Sequence, residues 1–319
     1  MPRSLKLRLL TLLAGNALLL LWIRLLLPEG GSFREVLSGA FTDAAPPLLA
    51  ALGLTGIVCT GALDLSLGGI VGVCGAVFGV LAAGGAPPAA CFAACIACAV
   101  VLSALNCAVS QALRLPVILW TLGARTIYRG LALLIAHGLV TAFSGNFVMP
   151  SEAFHAPGKS YASWILLAGV FVALAWEAFG KTPRLWIALG CSEEACRLQG
   201  LSPGRIRLSA FLAGGVYLGL SALLLITQSQ AIEPARLAVG FELAVIGAVV
   251  LGGTNIFGGE GSHAGTIAGA FFLYFLGQLL VYAGVNVYWR EVAAGAAIVI
   301  VIGFDCLLHR RRKRIEELE

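Results

Sequence analysis

Residues 44–84 read AAPPLLAALGLTGIVCTGALDLSLGGIVGVCGAVFGVLAAG, and Asp64 is the one charged residue among them. A helix that crosses a bilayer needs about 20 predominantly apolar residues. The stretch is long enough for two such helices, over 44–60 and 66–84, joined by a short segment. It therefore predicts either two consecutive membrane spans or one broken pair, with a carboxylate at the break.

The composition of the whole chain agrees with a membrane location. Of its 319 residues, 59% are hydrophobic and 12% are charged, and the mean hydropathy is +0.94. A soluble domain is usually about 45–50% apolar and about 25% charged, so a soluble chain of this kind could not cover its own surface. The composition excludes a disordered protein, a nucleic-acid-binding tail and a disulfide-rich secreted module. It predicts an all-α polytopic membrane protein.

Apolar runs of about spanning length recur along the chain. We count ten, over 9–27, 44–60, 66–84, 88–110, 117–137, 162–180, 208–228, 241–257, 262–283 and 289–308. Gly252 and Gly253 interrupt the eighth run early. Most of the 21 basic residues lie in cytoplasmic segments if both termini are inside, which is the arrangement that the Lys and Arg bias of cytoplasmic loops favours. We therefore predict about ten spans with both termini cytoplasmic.

Three polar segments lie outside the predicted spans. Residues 138–161 form a predicted outer loop, and residues 309–319 form a basic and acidic cytoplasmic tail. Residues 181–207 form an inner loop between the sixth and seventh spans. In this loop Ser192 is a good N-cap, and acidic residues directly after it suit the first turn of a helix. We predict one short amphipathic helix that starts there and stops at Gly200.

Asp64 and Ser66 admit two interpretations. A carboxylate between two apolar spans can line a polar cavity. Alternatively, either side chain can cap the following helix by accepting hydrogen bonds from free backbone N–H groups at a membrane boundary. Both interpretations imply a break between the two helices.

Arg125 and Arg129 are four residues apart in the fifth span and therefore share one helical face. Ionisable residues at membrane depth usually face the protein interior or a water-filled path. The alternatives are that the long side chains extend to the interface, or that they pair with Asp64 or Glu242. The spacing leaves these alternatives open.

Glycine is dense between Gly252 and Ser262. A glycine-rich loop can bind phosphate, but it then needs a basic residue and a soluble α/β setting, which are missing here. Glycine instead favours close helix packing and tight turns. The residues predicted to serve packing or gating are Gly68, Gly72, Gly252, Gly253, Gly258 and Gly259.

Metal, nucleotide and catalytic motifs do not emerge from the sequence. Cys91, Cys95 and Cys98 share a helical face, but no His or carboxylate accompanies them, so we predict no metal site. The segment Gly158-Lys159-Ser160 resembles the end of a phosphate-binding loop, yet the glycine required five residues earlier is Ala153. We predict that the chain is not an enzyme and holds no cofactor.

Four segments together resemble a known family, the permease (transmembrane) subunits of bacterial monosaccharide ABC importers of the ribose, xylose and rhamnose type. They are GALDLSLG at 61–68, LPVILWTLGARTIYRG at 115–130, ALGCSEEACRLQG at 188–200 and AVVLGGTNIFGGEGS at 248–262. They occur in the family's order across 44–305. The family usually has Asn at the position of Ser192 and a neutral residue at that of Arg125.

The resemblance implies a single transmembrane permease domain over 1–319 in the bacterial inner membrane. It implies a dimer of two permease subunits, identical or sister, with two cytoplasmic ATPase subunits that bind the ATP and a periplasmic solute-binding protein. The segment 184–204 would dock on the ATPase, and a monosaccharide would cross by alternating access; no nucleic acid is implied. The residues predicted to couple to the ATPase are Ser192, Glu193, Glu194, Ala195, Arg197 and Gly200.

Polar residues near membrane depth are candidates for the transport path, and each can instead be a polar residue that serves helix packing. They are Asp64, Ser66, Asn106, Thr121, Arg129, Gln228, Glu242 and Asn255.

Two alternatives to a monosaccharide importer remain open. A related permease for branched-chain amino acids or nucleosides would differ in its solute, and a passive channel or facilitator would need no docking loop.

Overall fold

The structure is a computed structural model that describes residues 3–27, 31–143, 147–148, 152–229, 231–232 and 237–286, with isolated positions between 289 and 303. In this part of the chain the helices are α1 Arg3–Leu26, α2 Phe33–Thr42, α3 Ala45–Cys59, α4 Leu67–Ala83, α5 Pro88–Ala112, α6 Val117–Phe143, α7 Ala156–Lys159, α8 Ala162–Phe179, α9 Thr182–Cys191, α10 Glu193–Leu198, α11 Pro203–Gln228, α12 Phe241–Leu251 and α13 His263–Tyr282. A 3₁₀ turn covers Glu152–Phe154. Two short antiparallel strands, β1 Phe147–Val148 and β2 Ala231–Ile232, pair Phe147 with Ile232.

Six of the described helices are long and apolar enough to cross a membrane: α1, α5, α6, α8, α11 and α13. A seventh span is possible if α2 and α3, which meet at 45°, count as one bent element. The bend follows from Pro46 and Pro47, since proline fits the first turn of a helix but not its interior. The predicted tenth run, 289–308, lies largely outside the described residues. An all-helical membrane protein is therefore confirmed, whereas the count of ten spans and the orientation of the termini stay predictions.

The core of the bundle forms around α11, which is buried over most of its length and packs against α3 and α5. Small residues allow this close packing. A Cβ atom at Gly53 of α3 would lie 2.9 Å from the carbonyl oxygen of Gly214. One at Gly219 would lie 2.8 Å from the Cα of Ile96 in α5. Any larger side chain at these glycines would push the helices apart.

The two ends of α11 define two ends of the bundle. Helices α9 and α10 directly precede its first residue, Pro203, and we call this the inner-loop end. At the other end α7 packs on the last turn, where a Cβ atom at Gly158 would lie 2.6 Å from the backbone nitrogen of Gln228. A helix of 26 residues separates the two ends by about 39 Å, enough to cross a bilayer.

Three predicted boundaries are wrong. The predicted eighth span, 241–257, becomes the short helix α12, because Gly253 adopts φ +88° and ends it after Leu251. Helix α6 continues to Phe143, into the predicted outer loop. The inner loop holds two helices instead of one, because Ser192 has extended backbone dihedrals and separates α9 from α10.

Candidate functional site

A buried polar cluster lies where the α3–α4 connection meets α5 and α6. Asp64 is fully buried and accepts hydrogen bonds from the backbone nitrogen and the hydroxyl of Ser66, at 2.8 and 2.6 Å. The amide nitrogen of Asn106 donates to Ser66 Oγ at 2.7 Å and to Asp64 Oδ2 at 3.4 Å. The amide oxygen of Asn106 accepts from Trp120 Nε1 at 3.0 Å and from Tyr128 OH at 2.8 Å. Asn106 therefore connects the cluster, using both ends of its amide.

Thr121 attaches the α3–α4 connection to α6. Thr121 Oγ1 accepts from the backbone nitrogen of Leu65 at 3.1 Å and lies 3.3 Å from the carbonyl oxygen of Leu63. Ser66 is the N-cap residue of α4, but its side chain makes no capping hydrogen bond. Asp64 satisfies the backbone there instead. The structure therefore supports the capping interpretation for Asp64, whereas a polar cavity lined by this carboxylate stays a prediction.

An ion pair joins α6 to α12. Arg125 Nε lies 3.1 Å from Glu242 Oε1, and the Arg125 side chain is 43% exposed while that of Glu242 is 4% exposed. Glu242 lies in the first turn of α12, where the free backbone N–H groups favour a carboxylate. Gly68 of α4 leaves the space for it, since a Cβ atom there would lie 2.5 Å from Glu242 Oε1. Of the partners considered for Arg125, the structure selects Glu242.

Arg129 contacts the segment that precedes α12. Its Nη1 atom donates to the carbonyl oxygen of Leu237 at 2.8 Å. Both arginines of the shared α6 face are therefore directed at residues 237–242. The approach of α4 to this face requires Gly69, where a Cβ atom would lie 2.8 Å from the carbonyl oxygen of Arg125.

Six of the eight path candidates lie in the α3–α4 connection or on α5, α6 or α12 around these contacts, and two lie elsewhere. Gln228 donates to the carbonyl oxygen of Thr42 at 2.9 Å, at the opposite end of the bundle from the inner loop. Asn255 lies in the glycine-rich segment at the inner-loop end, where its Oδ1 accepts from the backbone nitrogen of Phe257 at 3.0 Å. The structure does not bring Gln228 or Asn255 to the polar cluster.

The glycine-rich segment packs on both α3 and α9. We call Gly61, Gly190, Gly258 and Gly259 the glycine junction. A Cβ atom at Gly190, near the end of α9, would overlap the carbonyl oxygen of Cys59 and the backbone nitrogen of Gly259. One at Gly258, where φ is +89°, would lie 2.7 Å from the Cα of Gly61. Gly259 N also donates to Cys59 O at 3.1 Å, so the backbones of three segments meet here directly.

Glycine also brings the turn after α12 against the start of α13. A Cβ atom at Gly252 would lie 2.5 Å from the backbone nitrogen of Thr266, and one at Gly265 would overlap the carbonyl oxygen of Gly252. The other two residues predicted for packing, Gly68 and Gly72, are buried in α4. Close backbone packing thus extends from the glycine junction along α12 and α13.

Helix α10 is anchored at its first residues. Ser192 Oγ accepts from the backbone nitrogen of Ala195 at 3.1 Å, as expected for an N-cap. Glu193 accepts from Arg197 at 2.6 Å within α10 and from Arg207 of α11 at 3.1 Å. One carboxylate therefore stabilises the short helix and attaches it to the long central helix.

The inner-loop end exposes large apolar side chains, and two of them lie on the segments that pack against α9. Leu198 at the end of α10 is 82% exposed, and Phe257 in the glycine-rich segment is 88% exposed. Gly200 follows α10 with φ +75°, which turns the chain towards α11. Glu194 is exposed on the same short helix. This end therefore presents apolar and charged groups together, as docking surfaces do.

Residues 36–302 match the family described as branched-chain amino acid transport system, permease component. The chain belongs to this family. It is 31% identical over 295 residues to the autoinducer 2 import system permease protein LsrC of Escherichia coli (strain K12 / DH10B). The aligned region covers 88% of this chain and 83% of that protein. It is 31% identical over 291 residues to LsrC of Salmonella paratyphi B, at 88% and 82% coverage. Together with its apolar helices, this makes it a multi-pass, inner-membrane ABC transporter permease.

Four residues of the permease site were not among the sequence candidates. Trp120 and Tyr128 complete the polar cluster, and their eight-residue spacing on α6 was the available signal. Glu177 Oε2 of α8 accepts from the backbone nitrogen of His263 at 2.7 Å and lies 2.9 Å from its Nδ1. This carboxylate caps the start of α13 from another helix, which no local pattern could show.

Among the described residues of the permease, no group of three or more His, Cys, Asp or Glu could hold a metal ion.

The Glu193 contacts predict a specific pH dependence for the permease. Partial burial raises the pKa of Glu193, but the hydrogen bonds and charges of Arg197 and Arg207 outweigh it and hold that pKa below its usual value. Its stabilising effect is therefore fully present above its unfolded pKa of about 4.3 and is lost only as the pH falls through the lower folded value. We expect Glu193→Gln to lower the unfolding temperature in detergent equally at pH 8 and pH 6. Glu194→Gln is the control, and its unfolding temperature should differ little from that of the wild type. If the decrease in unfolding temperature caused by Glu193→Gln were smaller at pH 6 than at pH 8, the prediction would be wrong.

Proposed function

We propose that this permease is the membrane-spanning subunit of an ATP-driven importer that moves a monosaccharide or a similarly small, sugar-like solute into the cytoplasm. Membership of the permease family supports the transport role. The relatives named for autoinducer 2 import support a small solute of that kind. The solute would arrive from a periplasmic binding protein and cross by alternating access.

The glycine junction is the observation that carries the coupling part of the proposal. It places the end of α9 in backbone contact with Cys59 at the end of α3 and with Gly259 before α13. Asp64 of the polar cluster follows three residues after Gly61. A displacement of α9 would therefore reach the polar cluster through backbone contacts and a short connecting segment.

The proposed partners follow from this arrangement. ATPase subunits would bind the inner-loop end, on the cytoplasmic side, through α9 and α10, with ATP bound by the ATPase. A second permease subunit would complete the path. The path would be lined by Asp64, Ser66, Asn106, Thr121, Arg129 and Glu242, and the coupling residues would be Ser192, Glu193, Glu194, Ala195, Arg197 and Gly200.

Branched-chain amino acid import is the second candidate function, because it is the transport system in the family's description. A substrate panel separates the two. The permease is purified from its native host through an affinity tag with its associated subunits, reconstituted with the binding protein in proteoliposomes containing Mg-ATP, and supplied with labelled ribose, xylose, rhamnose, autoinducer 2 or leucine. We expect uptake of one of the first four and an ATPase in the purified complex. Uptake of leucine alone would favour the second function.

The exposed Leu198 side chain gives a direct test of docking. We expect Leu198→Glu to reduce ATP-dependent uptake about five- to tenfold, because a charge would replace an apolar contact at the centre of the proposed interface. The unfolding temperature of the isolated permease should not change, since Leu198 is 82% exposed. Leu198→Met is the matched control and should transport like the wild type. Unchanged uptake in the Leu198→Glu variant would contradict docking through α10.

A further inference from the structure

A groove of about 750 Å³ lies between α8 and α11, and we call it the α8–α11 groove. Its floor is fixed where the hydroxyl of Tyr217 in α11 donates to the carbonyl oxygen of Gly169 in α8 at 2.9 Å. Its volume is typical of a site for a small molecule. Most of the side chains that line it are apolar, and those at its exposed rims are Ala168, Val172, Leu212 and Val216. Because these rims belong to membrane-spanning helices, the molecules that surround the groove are lipids.

The length of the groove is close to the thickness of one bilayer leaflet. Its lining on α11 runs from Ser209 to Leu220, and its lining on α8 runs the opposite way, from Trp176 to Ile165. Each stretch is about 17 Å long, and half of a hydrocarbon core is about 15 Å. Trp176 lies one turn before the end of α8, where an indole suits the boundary between tails and headgroups. A lipid tail that starts at the inner-loop end therefore fits the groove lengthwise.

The inner-loop end of the groove is basic. Lys181 directly precedes Thr182, which lines the groove, and Arg205 lies one turn before Ser209 on the same face of α11. Both basic side chains are exposed, and within the described residues neither forms an ion pair. A third basic residue, Arg184, is also exposed, and it donates to a backbone carbonyl oxygen at the end of α8 at 3.3 Å. Cations thus stand where the headgroup of a lipid in the groove would lie.

Two carboxylates close to these cations in the chain are bonded to other groups. Glu177 accepts from the backbone nitrogen of His263 at the start of α13, at 2.7 Å. Glu193, which contacts α11, accepts from Arg207 at 3.1 Å and not from Arg205. The charge of Arg205 is therefore not neutralised by the carboxylate that reaches its own helix. Basic residues at the end of an apolar groove favour lipids with an anionic headgroup over zwitterionic ones.

We propose that the α8–α11 groove binds a tail of an anionic phospholipid from the leaflet at the inner-loop end, with its phosphate held by Lys181 and Arg205. The site is separate from the proposed solute path, because no path candidate is among the described residues that line the groove. It adjoins α9, since Trp186 of α9 donates to Ser209 Oγ at 2.9 Å and packs edge-on against Trp176 with ring centroids 5.2 Å apart. A bound lipid would therefore stabilise the contact of α9 with α8 and α11.

Lipid binding to the purified complex tests the headgroup contacts. The full chain is purified through an affinity tag with its associated subunits, washed free of lipid in detergent, and titrated with phosphatidylglycerol or with phosphatidylethanolamine that carries the same tails. Native mass spectrometry counts the lipids bound per permease chain. The variant Lys181→Gln/Arg205→Gln removes both cations. Its matched control, Arg34→Gln/Lys159→Gln, removes one exposed arginine and one exposed lysine at the opposite end of the bundle.

We expect the wild type and the control to bind one phosphatidylglycerol about tenfold more tightly than phosphatidylethanolamine, because two basic residues attract the anionic headgroup. Lys181→Gln/Arg205→Gln should bind the two lipids equally. Equal affinity for both lipids in the wild type would overturn the proposal. So would a preference that survives in Lys181→Gln/Arg205→Gln, or one that the control loses as well.

A second variant tests the tail contacts. Ala168→Phe fills the groove from an exposed rim position, so the unfolding temperature in detergent should stay close to that of the wild type. We expect it to weaken binding of phosphatidylglycerol about tenfold, whereas Ala17→Phe, at an exposed position of α1, should bind like the wild type. Unchanged phosphatidylglycerol binding in Ala168→Phe would overturn the proposal. It would mean that a second copy or another part of the chain covers the groove, or that the lipid binds elsewhere.

Discussion

Replacing Asn106 with Leu is expected to lower the free energy of unfolding by about 3 kcal/mol. The variant would remove the acceptor of Trp120 Nε1, which is half-buried, and of the buried Tyr128 OH, and it would remove the donor to Ser66 Oγ. Each buried polar group left without a partner costs about 1–3 kcal/mol, although such bonds contribute less in some membrane proteins. Unfolding titrations in mixed detergent micelles, followed by tryptophan fluorescence, would measure the change.

A second buried asparagine provides the control for that experiment. Asn16 donates to Leu12 O in its own helix and to Ala268 O in α13, so its replacement by Leu removes a single interhelical hydrogen bond. We expect Asn16→Leu to cost about 1 kcal/mol. Equal effects of the two variants would show that the polar cluster adds nothing beyond ordinary interhelical bonding.

Gly190→Val is expected to reduce ATP-driven uptake about a hundredfold. A side chain at this position would overlap backbone atoms of Cys59 and Gly259, and backbone cannot move aside as a flexible side chain can. Helix α9 would have to shift, and the contact that carries its movement to α3 would be lost. Uptake in proteoliposomes and the amount of folded permease in the membrane should be measured together, so that lost coupling is distinguished from lost folding.

Gly123→Ala is the matched control for Gly190→Val. Gly123 lies in α6, and apart from its own helix backbone and chain neighbours no described atom lies within 4 Å of the position of a Cβ atom. We expect full transport and slightly higher stability, because alanine is about 1 kcal/mol more favourable than glycine in a helix. Full transport in Gly190→Val would show that α9 does not act through the glycine junction.

The sequence predicts those parts of the structure that depend on local patterns. Apolar runs of spanning length mark α1, α5, α6, α8, α11 and α13. The N-cap preference of Ser192 correctly places the start of α10. The order of four motifs correctly leads to the permease family. Each of these signals is contained within a short window of residues.

The contacts that build the site could not be predicted from the sequence, because they depend on how distant segments pack together. Nothing near Arg125 in the sequence distinguishes Glu242 from Asp64 as its partner, because the choice follows from how α4 and α12 pack. The backbone contact of Gly190 with Gly258 and Gly259 likewise requires α3, α9 and the glycine-rich segment to be placed first. The early end of α12 is different, because it had a local signal: Gly252 and Gly253 interrupt the apolar run directly after Leu251, and the positive φ of Gly253 ends the helix there.

ATP dependence of solute uptake is the most direct test of the central claim, that this permease moves solute when its inner loop is driven by an ATPase. Proteoliposomes containing the purified complex and the binding protein are loaded with Mg-ATP or with a non-hydrolysable ATP analogue, and accumulation of the labelled solute is followed over time. The proposed function predicts accumulation above the external concentration with Mg-ATP and none with the analogue. Equal uptake under both conditions, stopping when the inside and outside concentrations match, would identify a passive facilitator and contradict it.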